Sequence, residues 1–393
     1  MCLALARVAN AQPAEPSTDS RAGLIAQAQE QKATVLRQYE PNRAERLVKQ
    51  AEQMLLGGEM KWRPFFESAY RGGGFTVGAG YLTHVGDYNW VDVRASITPS
   101  AYIRAESEFR APRLFDRRGS LSVIGGWRQA TTVGYYGLGT ADTSVDDEAF
   151  YSFTQPYASA TLEVRPTRRW LLLSGGVEYS HWRPDSTDRR APSIEEIYTP
   201  ETAPGLGATP RYLHLSGGAA LDWRTSAGYA RRGGYYGVAA HDYQDPKDRY
   251  GFRRVDYEAI QHLPLGRDAW VLALRGRVET TYTNGGQVLP FFMMPSLGGG
   301  SDLRGYNSWR FRDLNSLLLQ AEWRVLVNAF FETAIFYDAG KVTSRRADLN
   351  LSGLKSDYGI GMRLHGPTAT PLRIDFARGS EGIHLVFSAS AVF

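Results

Sequence analysis

The chain has 393 residues, a formal net charge of +4, 41 glycines, 12% aromatic and 22% charged residues. Basic and acidic side chains are interspersed, which excludes a polybasic nucleic-acid tract, and no run approaches the roughly 18 apolar residues of a transmembrane helix. The single cysteine, Cys2, excludes an internal disulfide.

At the start, Ala9-Asn10-Ala11 before Gln12 has the small-residue pattern of an export cleavage site, so residues 1–11 are read as the remnant of a signal peptide. From Ser20 to about Leu56 the apolar period is helical: Ile25, Ala28, Val35, Leu36 and Tyr39, then, after Pro41, Ala44, Leu47, Val48, Ala51, Met54 and Leu55. Residues 12–60 are therefore expected to form a periplasmic arm of two helices broken at Pro41. Gly57 and Gly58 end it, and Trp62 opens a different texture.

From residue 61 to 393 the period is two. Trp270, Leu272, Leu274, Gly276 and Val278 alternate with Ala273, Arg275, Arg277 and Glu279. The same alternation runs through Leu171 to Tyr179, Leu213 to Trp223 and Leu317 to Val325, each near the length a tilted strand needs to cross a bilayer. Arg104, Glu106, Glu108 and Arg110 place successive charges on one face, which suits a wet interior. Loops rich in Asp, Thr, Gly and Pro, such as Thr140 to Glu148 and Arg183 to Pro210, separate the strands; the longer ones are expected outside the cell. The chain closes on an alternating face, Ile383, Leu385, Phe387, Ala389, Ala391 and Phe393.

The expected fold is all-β membrane: a closed antiparallel transmembrane β-barrel of about 16 strands, preceded by a short α-helical segment. Lipid cannot satisfy an open sheet edge, so spanning strands must close.

The run Gly298 to Asp313, GGGSDLRGYNSWRFRD, carries Leu303, Arg304, Gly305 and Tyr306. It resembles the signature loop of the BamA, TamA and two-partner-secretion transporter superfamily of outer-membrane barrels, of bacterial surface antigen type. Phe336-Tyr337-Asp338-Ala339-Gly340 is similar to that family's Phe-x-Asp-x-Gly strand, and Arg71 to Tyr81 and Tyr135 to Thr140 match more weakly. The resemblance implies that Arg304 folds back inside the barrel and is held by acids on neighbouring strands. By parity Glu322 and Asp338 can both point inward, and they are taken as the loop-locking acids. The region before Trp62 is too short for a POTRA module, so the likeness is to a barrel-only branch.

No Gly-x-Ser-x-Gly elbow or His-Glu-x-x-His helix occurs, and the seven histidines lack metal-ligand spacing. His181 and His241, each near an aspartate, are the remaining catalytic candidates and weigh little. No enzyme, cofactor or metal is expected. The implied role is insertion or translocation of proteins at the outer membrane of a Gram-negative-type bacterium, with lipid and client or partner proteins as neighbours. The alternative is a passive channel, lipid conduit or scaffold barrel.

Overall fold

The computed structural model describes residues 61–393, apart from 142, 168–169, 367–368 and 389–390, together with helical Leu24, Ile25, Gln27, Ala28, Gln31 and Arg46. The signal remnant expected over 1–11 lies outside the described residues. So does most of the arm expected over 12–60, including its break at Pro41.

Residues 48–393 form the larger of two compact units. Its strands, in chain order, are β1 (Trp62–Pro64), β2 (Val77–Val85), β3 (Asn89–Ile97), β4 (Ile103–Leu114), β5 (Gly119–Tyr135), β6 (Ala149–Val164), β7 (Leu171–His181), β8 (Arg183–Asp185), β9 (Arg211–Asp222) and β10 (Gly233–Gln244). They continue as β11 (Phe252–Leu265), β12 (Arg267–Tyr282), β13 (Ser296–Leu297), β14 (Phe311–Arg312), β15 (Asn315–Leu326), β16 (Phe331–Thr343), β17 (Lys355–Leu364), β18 (Leu372–Gly379) and β19 (Gly382–Ser388). Seventeen strands form one sheet, and β13 and β14 pair apart from it. Every registered ladder is antiparallel, as expected where sequential strands are joined by hairpins.

The count exceeds the expected 16 at one place. Both β7 and β8 pair with β6, and the chain is interrupted between them at Trp182, next to Pro184. Proline cannot donate to a ladder, so the strand resumes only as a three-residue segment.

Period-two alternation sorts the sheet into two faces. Val93, Val123, Val177, Leu215, Val238, Tyr257, Leu274, Trp323, Ile335, Ile360, Phe376 and Leu385 are exposed on one. On the other, Asp92, Glu106, Glu108, Gln320, Glu322, Asp338, Asp357 and Asp375 are buried. A water-soluble sheet would show the reverse arrangement; an apolar outside and a polar inside fit spanning strands. The sheet curls strongly. Thr140, between β5 and β6, donates to the Val342 carbonyl of β16 at 2.9 Å and accepts from its amide at 2.8 Å.

The long connections pack against one another and against the strands. Ile194, Tyr198 and Ala203 from the Arg183 to Pro210 connection, with Phe291, Phe292, Met293 and Met294 from the β12 to β13 connection, join Tyr135, Tyr151, Phe153 and Trp182 in a buried aromatic cluster. Rings of this size bury enough apolar surface to outweigh the entropy of ordering the loops. One expectation is corrected: the alternating strand does not run to the last residue, since β19 is described as Gly382–Ser388 and residues 391–393 lie in no strand. Val392 is buried, and the Phe393 ring lies 5.2 Å from the Arg324 guanidinium and 6.0 Å from that of Arg275. Contact with two cations on the polar face replaces the outward position that strict alternation would give this ring.

Candidate functional site

Between β12 and β15 the chain turns onto the polar face of the sheet. β13 and β14 pair through Ser296↔Arg312 and Leu297↔Phe311, making the stem of a hairpin whose tip carries Leu303 to Tyr306. The glycines that open the hairpin are required by its backbone. Gly298 and Gly299 have φ of 115° and 97°, in the region other residues avoid. At Gly305 the constraint is space, since a Cβ would sit 2.5 Å from Asp357 Cβ and 2.6 Å from the Gly379 amide nitrogen.

Arg304 is fully buried at the tip. Its Nε donates to Asp338 Oδ2 at 2.7 Å and its Nη2 to Asp338 Oδ1 at 2.8 Å, the parallel fork that a planar guanidinium matches best. Nη1 donates to Glu322 Oε1 at 2.6 Å and to Asp375 Oδ2 at 3.2 Å. The guanidinium carbon stands 3.4 Å from the Phe336 ring centroid, so one flat face is also occupied.

Three wall arginines complete the network. Arg324 and Arg363 each donate to Glu322 at 2.7 Å, and Arg373 pairs with Asp375 at 3.1 Å. Asp357, the register partner of Asp338, is buried beside them. Four arginines thus share three carboxylates, Glu322, Asp338 and Asp375, and this mutual pairing lowers the cost of burying any one of them. Removing Arg304 alone would leave the buried Asp338 without its cation, a loss of about 3–5 kcal/mol.

The rest of the tip is held as firmly. Leu303 and Tyr306 pack with Leu297, Phe311, Leu318 and Val342. The Tyr306 hydroxyl donates to the Ser356 carbonyl at 3.1 Å. Gln320 donates through Nε2 to the Asp302 carbonyl at 2.8 Å and to Asp338 at 3.1 Å, joining hairpin backbone to wall.

A second ionic contact fastens the hairpin to β12, the neighbour of β15, and to the β1 to β2 connection. Asp302 pairs with Arg277 of β12 at 3.0 Å and with Arg71 of the β1 to β2 connection. Burial pushes the Asp302 carboxyl up, but Arg277, Arg71 and Arg275 outweigh it and hold the group below the ordinary aspartate range. Trp309 donates from Nε1 to the Arg71 carbonyl at 3.1 Å, and the Arg71 guanidinium lies 4.3 Å from its ring centroid. Arg310 reaches Glu381 at 2.8 Å and the Thr143 carbonyl at 2.8 Å, while Arg312 reaches the Phe291 carbonyl at 2.8 Å. Every charged residue from Asp302 to Arg312 therefore has a partner.

The structure brings Arg304, Glu322 and Asp338 into direct contact, and Leu303, Gly305 and Tyr306 around them. Sequence reading missed Asp375, Arg324, Arg363 and Arg373, although each alternates with exposed apolar neighbours as Glu322 does. It also missed Asp302, two residues from Arg304. The two catalytic candidates lie apart: the His181 ring accepts from Arg183, and His241 meets Asp256 and His214. Among the described residues no group of three or more metal-ligating side chains forms, and no helix is long and apolar enough to cross a membrane.

Comparison with known proteins gives the lineage. BamA from Haemophilus ducreyi lacking POTRA domains 1-3 superposes with a TM-score of 0.60 at 14% identity, over 84% of this chain and 68% of that one. CdiB from Escherichia coli gives 0.52 at 13% identity, over 81% of this chain and 56% of that one. At these identities the likeness is one of fold. No curated protein matches the sequence. The Omp85 superfamily domain model matches residues 86–384, which include the whole hairpin and its acidic partners, and the chain therefore belongs to the Omp85 superfamily.

Proposed function

We propose that the curled sheet is the wall of a closed barrel in the outer membrane of a Gram-negative-type bacterium, and that it acts in the insertion or translocation of proteins there. The observation that carries this reading is the inward hairpin: Arg304 fully buried against Glu322, Asp338 and Asp375 on the polar face, within a chain of this family. The exposed apolar face supports a lipid surrounding. The proposed action is physical, with no covalent step. A weakly paired wall edge would lower the barrier for a client strand by offering it backbone partners that lipid cannot supply.

A passive channel is disfavoured by what covers the polar face. The hairpin lies along it, and the aromatic cluster of Tyr135, Tyr151, Phe153, Trp182 and Phe291 occupies its loop end. Purified protein in liposomes tests the choice. Faster folding of an added outer-membrane barrel than in protein-free liposomes supports the proposal; steady ion conductance without such acceleration contradicts it and supports the channel.

A further inference from the structure

At the end of the sheet opposite the hairpin stem, the connections are short, with one exception. The β9 to β10 connection runs over residues 223–232, against 365–371 for the next longest at that end. Its root is pinned: the Trp223 amide donates to the Gly234 carbonyl at 3.0 Å, and the Thr225 amide to the Arg232 carbonyl at 3.3 Å. Gly233, with φ of 100°, closes the root where a Cβ would sit 2.4 Å from the Trp223 carbonyl oxygen. Residues 226–231 are left as the tip of a compact Ω-loop.

The tip does not stay over its own strands. The buried Tyr229 ring stacks on His365 of the β17 to β18 connection, with centroids 4.0 Å apart and planes at 11°. Its hydroxyl donates to Glu332 Oε2 of β16 at 3.2 Å and accepts from Arg231 at 2.9 Å, and Arg231 stands 3.8 Å from the same carboxylate oxygen. Thr370 donates to the Gly228 carbonyl at 3.3 Å. In the sheet, β11, β12 and β15 separate β10 from β16. Glu332 shares the buried polar face with Ala334, Phe336 and Asp338. The tip therefore crosses the interior from one wall to another.

We propose that residues 226–231 are a hinged gate over the mouth of the lumen, the periplasmic mouth in the closed-barrel reading on which this inference rests. Seated on β16 and the β17 to β18 connection, the tip closes that mouth; lifted about its pinned root, it opens the polar face to periplasmic solutes. Its contacts with the far wall, at 3.2 to 3.8 Å, are longer than the 2.6 to 2.8 Å bonds of Arg304 to Glu322 and Asp338. Lifting parts no wall ladder, and water entering the mouth solvates both Glu332 and Arg231, so no dry charge is stranded. The gate is thus the part of the interior that opens at least cost, as a lid must be.

The test places a reporter thiol by Ala334→Cys, at the next inner position of β16 after Glu332, in a Cys2→Ser background of the full chain in detergent micelles. The rate of labelling by a bulky hydrophilic maleimide is measured. Slow labelling is expected with the native tip. Adding Tyr229→Ala should speed it at least about 10-fold, since a ring stack and a hydrogen bond to a carboxylate hold the tip by that factor. A control thiol from Ser316→Cys, buried at the opposite end of β15, should label slowly in both. Heat-modifiable migration reports a folded barrel, and Glu332→Ala replaces Tyr229→Ala if the latter fails it. A parent without such migration overturns the barrel reading and the gate with it. In a folded barrel, equal labelling of the reporter with and without Tyr229→Ala overturns the gate alone, as does an equal rise at the control thiol.

Discussion

Two charge clusters lie on the same polar face and are built differently. In the first wall segment, Arg94 of β3 pairs with Asp92, Glu106 and Glu108 at 2.8 to 3.0 Å, and Glu106 of β4 also takes Arg104 and Arg128. All of these side chains come from β3, β4 and β5, which are consecutive strands, so the ladder that forms the wall also assembles the cluster. The hairpin cluster uses the same residue types, but its central cation arrives from a separate segment. Its acids are 18, 34 and 71 residues further along the chain, on β15, β16 and β18. The difference teaches that one network is part of the wall, whereas the other is a dock from which a piece can in principle leave.

Arg304→Ala should break this contrast most strongly. It strands Asp338, whose ion-pair partner is Arg304, and takes one partner each from Glu322 and Asp375; loss of about 3–5 kcal/mol is expected, read as a lowered temperature of heat-modifiable migration and raised conductance of the reconstituted protein. Unchanged values for both would remove the proposed lock.

Gly305→Val comes next. With Asp357 Cβ and the Gly379 amide where a side chain would go, the tip must lift, at a cost of about 1–3 kcal/mol, seen as pepsin cleavage inside residues 298–310.

Arg94→Ala should have a smaller effect of about 1–3 kcal/mol, because the ladders on either side of β3 persist. It should leave the hairpin resistant to protease. Cleavage of the hairpin in this variant would show that the clusters are one unit rather than two.

The smallest effect concerns pH. The Asp302 carboxyl is held below its ordinary value of 3.8, so its contribution is complete above that value and disappears as pH falls through the depressed one. The Asp302 contribution to holding the hairpin should therefore begin to fade only below about pH 3.8. In Asp302→Asn this step should be missing, as followed by pepsin cleavage.

The legibility of these parts in the sequence follows from their physics. Strands such as β9, β12 and β15 were readable because lipid on one side and charge on the other enforce a period of two along the chain. Glu322 and Asp338 were readable from the same parity once Arg304 was in view. Asp375 and Arg363 obey that parity too, but nothing local says that β17 and β18 curl under the hairpin tip. The aromatic cluster was not legible, because Ile194, Ala203 and Phe291 lie in connections rich in turn residues, where burial has no period. Trp182, which splits β7 from β8, and Phe393, which leaves the line of β19, are likewise placed by contacts distant in the chain.

Hydrogen exchange across residues 298–310 tests the central claim most directly, comparing the parent with Arg304→Ala and Arg94→Ala under one set of conditions. The account predicts slow exchange in the parent and in Arg94→Ala, and fast exchange confined to the hairpin in Arg304→Ala while β15 and β16 stay protected. Equal hairpin protection in all three proteins would contradict it.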